Sequence, residues 1–149
     1  MTETEFASWR DIAIDQRGAQ VSRATGKGLD AAVEESRVLL SKVLSNGLRT
    51  DGMSLFAITD GDARIGWMWL GDSPSDPAAG FVFDIIIEAE ARARGYGRAA
   101  MLAAEQFFRS QAKTRVALNV FGGNDTARGL YESLGYLPIS TSMAKSLEA

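Results

Sequence analysis

The chain has 149 residues, of which 46% are hydrophobic and 23% charged, and it carries a formal net charge of −3. This length and composition suit one globular domain with a substantial core, so we expect a single domain over residues 1–149. The sequence has neither cysteine nor histidine, which excludes disulfides, thiolate nucleophiles, zinc sites built on these ligands and histidine-dependent triads. We therefore expect no metal site, and a general base must be a carboxylate, a tyrosine, a terminus or water.

Composition also limits the partners and the location of the protein. The isoelectric point near 5.0 argues against a broad nucleic-acid surface, and no apolar run approaches the length of a membrane span. The first five residues, Met-Thr-Glu-Thr-Glu, lack the basic start and the apolar core of a signal peptide. These features predict a cytoplasmic protein that binds neither nucleic acid nor membrane.

The N-terminal third predicts two helices. The first covers residues 4–24 with Thr4 as its N-cap, and the second covers residues 29–44 and ends at a Ser-Asn-Gly sequence. Each carries an apolar stripe, which favours packing against a core. The stripe residues are Phe6, Trp9, Ala13, Gln20 and Val21 in the first helix and Ala32, Ser36, Leu39, Leu40 and Val43 in the second.

A β-hairpin is predicted to follow. Residues 54–59 and 64–70 have the composition of strands, and the Asp-Gly-Asp sequence at residues 60–62 supplies the turn between them. In the second strand Trp67 and Trp69 share one face. For both tryptophans we favour core packing over a ligand cage.

The central part of the chain combines a buried strand, a glycine loop and a helix. Residues 81–87 are apolar except for Asp84, which predicts a strand buried on both faces. A helix is predicted over about residues 97–111. Glycines let a backbone approach a ligand, and a helix start presents unpaired N–H groups and a positive dipole end, so the loop suits an anion such as a phosphate. The loop residues in question are Arg92, Arg94, Gly95, Gly97 and Arg98.

The C-terminal part predicts a strand, a helix and a strand. Residues 115–121 alternate in polarity and predict a strand, and residues 127–134 show the spacing of an amphipathic helix that Gly135 closes. Residues 136–144 predict a last strand, which Pro138 would shift to a sheet edge or a bulge.

Two motifs resemble those of the GCN5-related N-acetyltransferases. Residues 92–97 match the family's Arg/Gln-x-x-Gly-x-Gly/Ala element, which lies between a central strand and a long helix. Residues 124–136 resemble its later Asn-x-x-Ala-x-x-x-Tyr-x-x-x-Gly-Phe element, with Tyr136 in place of the usual phenylalanine. The similarity covers residues 53–145, and residues 1–50 resemble the family only as a helical pair ahead of the sheet.

The resemblance implies an α/β fold of the α+β type, with a mixed central sheet of about six strands flanked by helices. Family members usually begin with a strand before the first helix, and this chain has no room for it, so we expect that strand to be absent. Either the sheet has lost an edge strand, or a partner subunit covers the exposed edge in a homodimer.

The resemblance also implies acetyl-CoA as the acyl donor. Backbone N–H groups of about residues 94–99 would hold its pyrophosphate, Arg92 and Arg98 would add positive charge, and main-chain groups of the central strand would pair with the pantetheine arm. Asn124 would cap its helix and contact CoA. The implied cofactor-binding residues are Ile85, Ile87, Arg92, Arg94, Gly95, Tyr96, Gly97, Arg98, Ala99 and Asn124.

The implied reaction is acetyl transfer to an amine, for which we expect a small molecule with a primary amine. Tyr131 matches the family's tyrosine near the CoA sulfur, where a phenol can protonate the leaving thiolate, although the residue also lies on an apolar stripe. Asp84 interrupts an apolar strand, so it deprotonates the amine through water, binds a cationic substrate or serves as a buried hydrogen-bonding group. The acceptor would be surrounded by residues 1–50 and 71–80, whose sequences do not reveal its identity. Residues 71–80 form either a lid over the acceptor or a surface loop without a function in the site.

The glycine loop also allows three other interpretations. Residues 95–100 also fit a dinucleotide-binding pattern, but that fold needs an acidic residue at the end of the next strand, where this chain has Asn119 and Val120. A Walker loop is excluded because no Gly-Lys-Ser/Thr sequence follows. A non-catalytic acyl-CoA-binding or sensing module stays open, and the presence of Tyr131 argues mildly against it.

Overall fold

The computed structural model describes residues 1–147. In that range, helices and a β-sheet are arranged close to the predicted order, and each predicted helix is found within about two residues of its expected ends. The helices are Glu3–Thr25 (α1), Leu29–Val43 (α2), Tyr96–Ser110 (α3) and Asp125–Ser133 (α4). The strands are Met53–Asp60 (β1), Ala63–Asp72 (β2), Ala79–Ile87 (β3) and Arg115–Leu118 (β4).

The N-cap of the N-terminal helix lies two residues earlier than expected. Thr2, and not Thr4, is the N-cap of α1: the Thr2 hydroxyl accepts from the Glu5 N–H at 3.1 Å, and the Glu5 carboxylate accepts from the Thr2 N–H at 2.7 Å. This reciprocal capping box satisfies two backbone donors at once, which a cap at Thr4 would not do. In α2, Leu39 was expected to face the core but is 39% exposed.

The four strands form one mixed sheet in the order β1-β2-β3-β4. β1 pairs with β2 and β2 with β3 in antiparallel register, whereas β3 and β4 are parallel. The β2–β3 register shifts between Trp69, which is opposite Asp84, and Leu70, which is opposite Val82. Phe83 is therefore an extra residue in β3, and such a bulge bends its strand.

Helices cover both faces of the sheet. α1 and α2 pack on one face, where Trp9, Trp67 and Trp69 lie in one buried cluster. Core packing of Trp67 and Trp69 is thus confirmed, with exposed fractions of 1% and 5%. α3 packs on the other face, where Phe108 and Met101 contact side chains of β2 and β3. The site described below lies where β3 and β4 separate between these two layers.

Strands β3 and β4 separate soon after they pair. Their register runs from Ala79 opposite Arg115 to Val82 opposite Leu118, and β4 ends there although a strand was predicted to residue 121. The bulge at Phe83 begins directly after the last pair, and bulges commonly end pairing. Among residues 1–147, the edge of β3 beyond Val82 therefore has no strand neighbour on the β4 side.

The predicted last strand is not present, and the sheet has four strands within residues 1–147 where about six were expected. Residues 136–147 are irregular, and Leu137 and Ile139 are 84% and 76% exposed. Alternating apolar residues form a strand only where a neighbouring strand and a core receive them, and Pro138 also lacks a backbone donor. Whether the family's usual first strand is missing stays a prediction.

One further property concerns the helices. In the part of the chain that the structure describes, none of them combines the length and the apolar character needed to cross a membrane.

Candidate active site

The start of α3 presents free backbone donors to solvent. Gly95 is the N-cap and has a φ of +82°, a left-handed conformation that glycine adopts without strain. The first helical bond runs from the Ala99 N–H to the Gly95 carbonyl at 3.1 Å. The N–H groups of residues 95–98 precede that bond and form the positive end of the helix dipole, whereas the N–H of Ala99, also predicted to bind the cofactor, is already used.

The three predicted arginines surround this helix start and are all exposed. Arg92 donates from Nε to the Ile87 carbonyl at 2.9 Å, and Arg98 donates to the Ser133 hydroxyl of α4 at 2.6 Å. Tyr96 donates its hydroxyl hydrogen to Asp60 of β1 at 2.5 Å. These bonds connect the loop to three neighbouring elements, so the positive charges lie on a loop that is well fixed at the end of β3.

The free edge of β3 leads directly to this loop. Ile85 and Ile87 lie beyond the last β3–β4 pair, as the sequence-based interpretation requires for main-chain pairing with an extended ligand. The opposite edge of β3 is occupied by β2, where Ile85 is opposite Met68 and Ile87 is opposite Gly66. An extended chain could therefore add to β3 only on the side from which β4 has separated.

Asp84 lies at the point of separation, and its carboxyl group is partly buried. The Trp9 indole donates to its Oδ2 at 3.3 Å. Burial raises the pKa of Asp84 to about 6, and the bonds from Trp9 and the Ile85 N–H together with the charge of Arg17 limit that rise. A carboxyl group with this pKa is mostly ionised at neutral pH and is basic enough to accept a proton.

Tyr131 lies on α4 and packs against the buried cluster on the α3 face of the sheet. Asn124 caps this helix, as predicted, by accepting from the Ala127 N–H at 3.4 Å. Burial raises the pKa of Tyr131, and the negative charge of Asp84 raises it further. The phenol therefore keeps its proton at neutral pH and can act as a donor or an acid. Its ring also packs against Tyr136, with 6.1 Å between the ring centroids. The packing against the core that the apolar stripe predicts for Tyr131 is therefore present as well.

Sequence reasoning did not assign a role in the site to Trp9, Arg17 or Phe121. Trp9 and Arg17 lie eight residues apart on the inner side of α1, and the Arg17 guanidinium lies 5.6 Å from the centre of the Phe121 ring in the loop after β4. The sequence feature that could have indicated Arg17 is the i, i+4, i+8 spacing of Trp9, Ala13 and Arg17. This spacing places a cation at the end of a buried helical stripe.

Comparisons with known proteins agree with this geometry. A profile of the acetyltransferase (GNAT) family matches residues 22–136. The chain is 29% identical over 150 residues to the uncharacterized N-acetyltransferase YdgE of Bacillus subtilis, covering 99% of this chain and 95% of that protein. It is 32% identical over 114 residues to the uncharacterized N-acetyltransferase YycN of the same organism, covering 75% and 73% of the two chains.

Solved structures show the same fold. The crystal structure of YycN from Bacillus subtilis superposes with a TM-score of 0.93 at 27% identity, over 100% of this chain and 96% of that one. The structure of AAC(6')-Iy, in complex with the bisubstrate analogue CoA-S-monomethyl-acetylneamine, has a TM-score of 0.60 at 15% identity, over 100% and 95% of the two chains. At that identity the second likeness concerns the fold alone.

The resemblance carried by the two sequence motifs is thus confirmed by a profile that spans most of the chain, by relatives named as uncharacterized N-acetyltransferases and by a closely superposing structure. The mixed sheet, the helix start after β3 and the separation of β3 from β4 are the local features that accompany this match. The chain belongs to the acetyltransferase (GNAT) family, with a mixed α/β fold of four helices and a four-stranded sheet within residues 1–147.

Proposed function

We propose that this protein transfers the acetyl group of acetyl-CoA directly to the primary amine of a small molecule, in the cytoplasm. The observation that carries the proposal is the separation of β3 and β4 after Val82 and Leu118. It leaves a free strand edge beside a partly buried carboxyl group and a phenol, and that edge ends at a helix start surrounded by arginines.

The donor would bind along β3 and α3. Its pyrophosphate would accept hydrogen bonds from the N–H groups of residues 95–98, where the helix dipole and three arginines favour negative charge. The pantetheine arm would pair with the main chain at Ile85 and Ile87, in the manner of an added strand. It would share the Ile87 carbonyl with Arg92 and compete with the Asp84 carboxyl for the Ile85 N–H. Asn124, which already caps α4, would contact the same ligand.

The chemistry needs a neutral amine and a protonated leaving group. The amine nitrogen attacks the thioester carbonyl, Asp84 accepts the amine proton directly or through a water molecule, and the C–S bond breaks. Tyr131 then donates its phenolic proton to the CoA thiolate. The raised pKa values of Asp84 and Tyr131 support this division, because one group accepts a proton near neutral pH and the other still holds one.

Release of CoA thiol in the presence of different amines tests this function. The chain contains no cysteine, so a thiol reagent added to the reaction reports on CoA without a background from the protein. We expect thiol release that depends on the amine and is matched by an N-acetylated product in mass spectrometry. Acetyl-CoA binding without turnover on any amine would instead support the non-catalytic acyl-CoA-binding module.

Replacing Tyr131 with phenylalanine is expected to lower kcat by about 10- to 100-fold, because the leaving thiolate loses its acid. The affinity for acetyl-CoA should change little, since the ring and its packing against Tyr136 are kept. Tyr136→Phe is the matched control, because Tyr136 donates to Glu105 at 3.2 Å and has no assigned role in transfer. An unaffected kcat in Tyr131→Phe, or an equal loss in both variants, would remove the acid role from Tyr131.

We also propose that the protein is a homodimer in which residues 136–144 of one copy extend the β4 edge of the other. Leu137 and Ile139 are exposed and alternate as in a strand, and β4 is an edge strand of the described sheet. We expect sedimentation velocity to show a dimer that the double variant Leu137→Ser/Ile139→Ser dissociates, whereas Leu102→Ser, at a residue 50% exposed on α3, does not. A monomeric wild-type protein would contradict the proposal.

A further inference from the structure

Arg17 is a half-buried cation that the proposed reaction does not use. Its guanidinium packs against the Phe121 ring, with 5.6 Å between the guanidinium carbon and the ring centre. None of the ion pairs within 4.0 Å found among residues 1–147 involves Arg17. Burying an arginine costs free energy, and the donors of its guanidinium usually find acceptors. Those donors are therefore available to a ligand.

The position of Arg17 relates this cation to the acceptor side of the site. It lies two helical turns after Trp9 on α1, and Trp9 contacts the Asp84 carboxyl group directly. Burial lowers the pKa of Arg17 and the charge of Asp84 opposes that shift, although the two groups form no ion pair within 4.0 Å. An unpaired cation on α1, packed on the loop after β4, and an anion on β3 that bonds to α1 thus lie on the same side of the sheet.

Such an arrangement complements a ligand that carries an amine and a carboxylate. The planar guanidinium binds a carboxylate through two parallel hydrogen bonds, and its packing on Phe121 fixes the orientation of the plane. The proposed function assigns the phosphates of the donor to a different place, the three exposed arginines at the start of α3. We propose that Arg17 binds a carboxylate of the acceptor, and that the acceptor is an amino acid or another small amine bearing a carboxylate.

This inference rests on the proposed acetyl transfer and specifies its acceptor. It is tested with a set of amino acids, each paired with its carboxamide, which differs in charge but hardly in size. At saturating acetyl-CoA we expect kcat/KM to be about 10- to 100-fold higher for each acid than for its amide, the usual effect of one charge-assisted contact. In Arg17→Gln that ratio should fall to about one, because the neutral side chain no longer distinguishes the two ligands.

Arg23→Gln is the matched control, since Arg23 is an exposed arginine at the end of the same helix. It removes the same charge and should leave the acid-to-amide ratio unchanged. If Arg17 only influenced the pKa of Asp84, Arg17→Gln would shift the pH profile for acids and amides alike and leave their ratio unchanged. That result, or a wild-type ratio near one, would overturn the inference.

Binding measurements separate this inference from the proposed function. Calorimetry of the protein–CoA complex with the same ligand pairs reports the carboxylate contact without turnover. If the protein prefers acids to amides, loses that preference in Arg17→Gln and acetylates none of them, the Arg17 contact stands and acetyl transfer is wrong. If amines without a carboxylate are acetylated efficiently and Arg17→Gln has no effect, acetyl transfer stands and the Arg17 contact is wrong.

Discussion

Gly97→Glu is expected to lower the affinity for acetyl-CoA by about 100-fold or more, while the protein stays folded. Gly97 is the second residue of α3, in the turn whose N–H groups we assign to the pyrophosphate. A carboxylate there would repel the phosphates at short range and occupy the space into which they would fit. Calorimetric titration with acetyl-CoA measures the loss.

The fold should tolerate this substitution. A Cβ at Gly97 would lie 3.3 Å from Cδ2 of Leu130, the end of a flexible side chain that needs to move only slightly. A negative charge in the first turn also stabilises a helix through its dipole. Thermal unfolding should therefore change little.

Gly97→Gln is the control for Gly97→Glu, because it adds nearly the same volume without the charge. It should weaken binding clearly less than glutamate does. Unchanged affinity in Gly97→Glu would contradict the assignment of the start of α3 to the phosphates. An equal loss of affinity in both variants would show that the volume of the side chain, and not its charge, is responsible.

Asp84→Asn is expected to lower kcat/KM by about 100- to 10,000-fold through loss of the base and to stabilise the protein at neutral pH. Burial raises the pKa of Asp84 from 3.8 to about 6. Keeping this carboxylate ionised in the folded protein therefore costs up to about 3 kcal/mol above pH 6, and asparagine removes that cost while still accepting from Trp9.

The pH dependence has a definite sign. Well below pH 3.8, Asp84 is protonated in both the folded and the unfolded protein, so wild type and variant should be about equally stable. Between pH 3.8 and about 6 the folded protein binds the proton more tightly, so wild-type stability falls relative to Asp84→Asn as the pH rises. The acid limb of wild-type kcat/KM should show an apparent pKa of about 6 and be absent in the variant.

Urea unfolding at several pH values and pH–rate profiles measure these two effects. Asp62→Asn, at an exposed turn residue, is the control and should change neither. A less stable Asp84→Asn protein with normal activity would mean that Asp84 is only a structural hydrogen-bonding group. A stabilised but inactive variant would show that the carboxylate is kept for transfer at a cost to stability.

The backbone geometry that we assign to the donor could be predicted from the sequence because its signals are local. The glycines and arginines of residues 92–98 follow a buried strand directly and precede a helix, and the structure keeps this order. Asn124 likewise caps its helix by the contact that its position predicts. In each case a few consecutive residues determine the backbone geometry, so no information about distant contacts is needed.

The region that we propose for the acceptor depends on contacts between distant parts of the chain. Trp9 reaches Asp84 across 75 positions, and Arg17 reaches Phe121 in the loop after β4. Helical spacing places Trp9 and Arg17 on one side of α1, but it does not say which strand or loop they meet. The proposal for Arg17 therefore required the structure.

The strand count was wrong for a related reason. Residues 136–144 alternate in polarity, but a strand forms only beside another strand, and here Leu137 and Ile139 are left exposed. The end of β4 at Leu118 was missed because it follows from the bulge at Phe83 of β3, and the local sequence of β4 gives no sign of it.

A crystal structure of the CoA complex is the most direct test of the central claim, that acetyl-CoA lies along the free edge of β3 and ends at α3. The predicted result has the pyrophosphate within hydrogen-bonding distance of the N–H groups of residues 95–98, the pantetheine paired with Ile85 and Ile87, and the sulfur between Asp84 and Tyr131. CoA bound elsewhere, or bound with the start of α3 empty, would contradict the account.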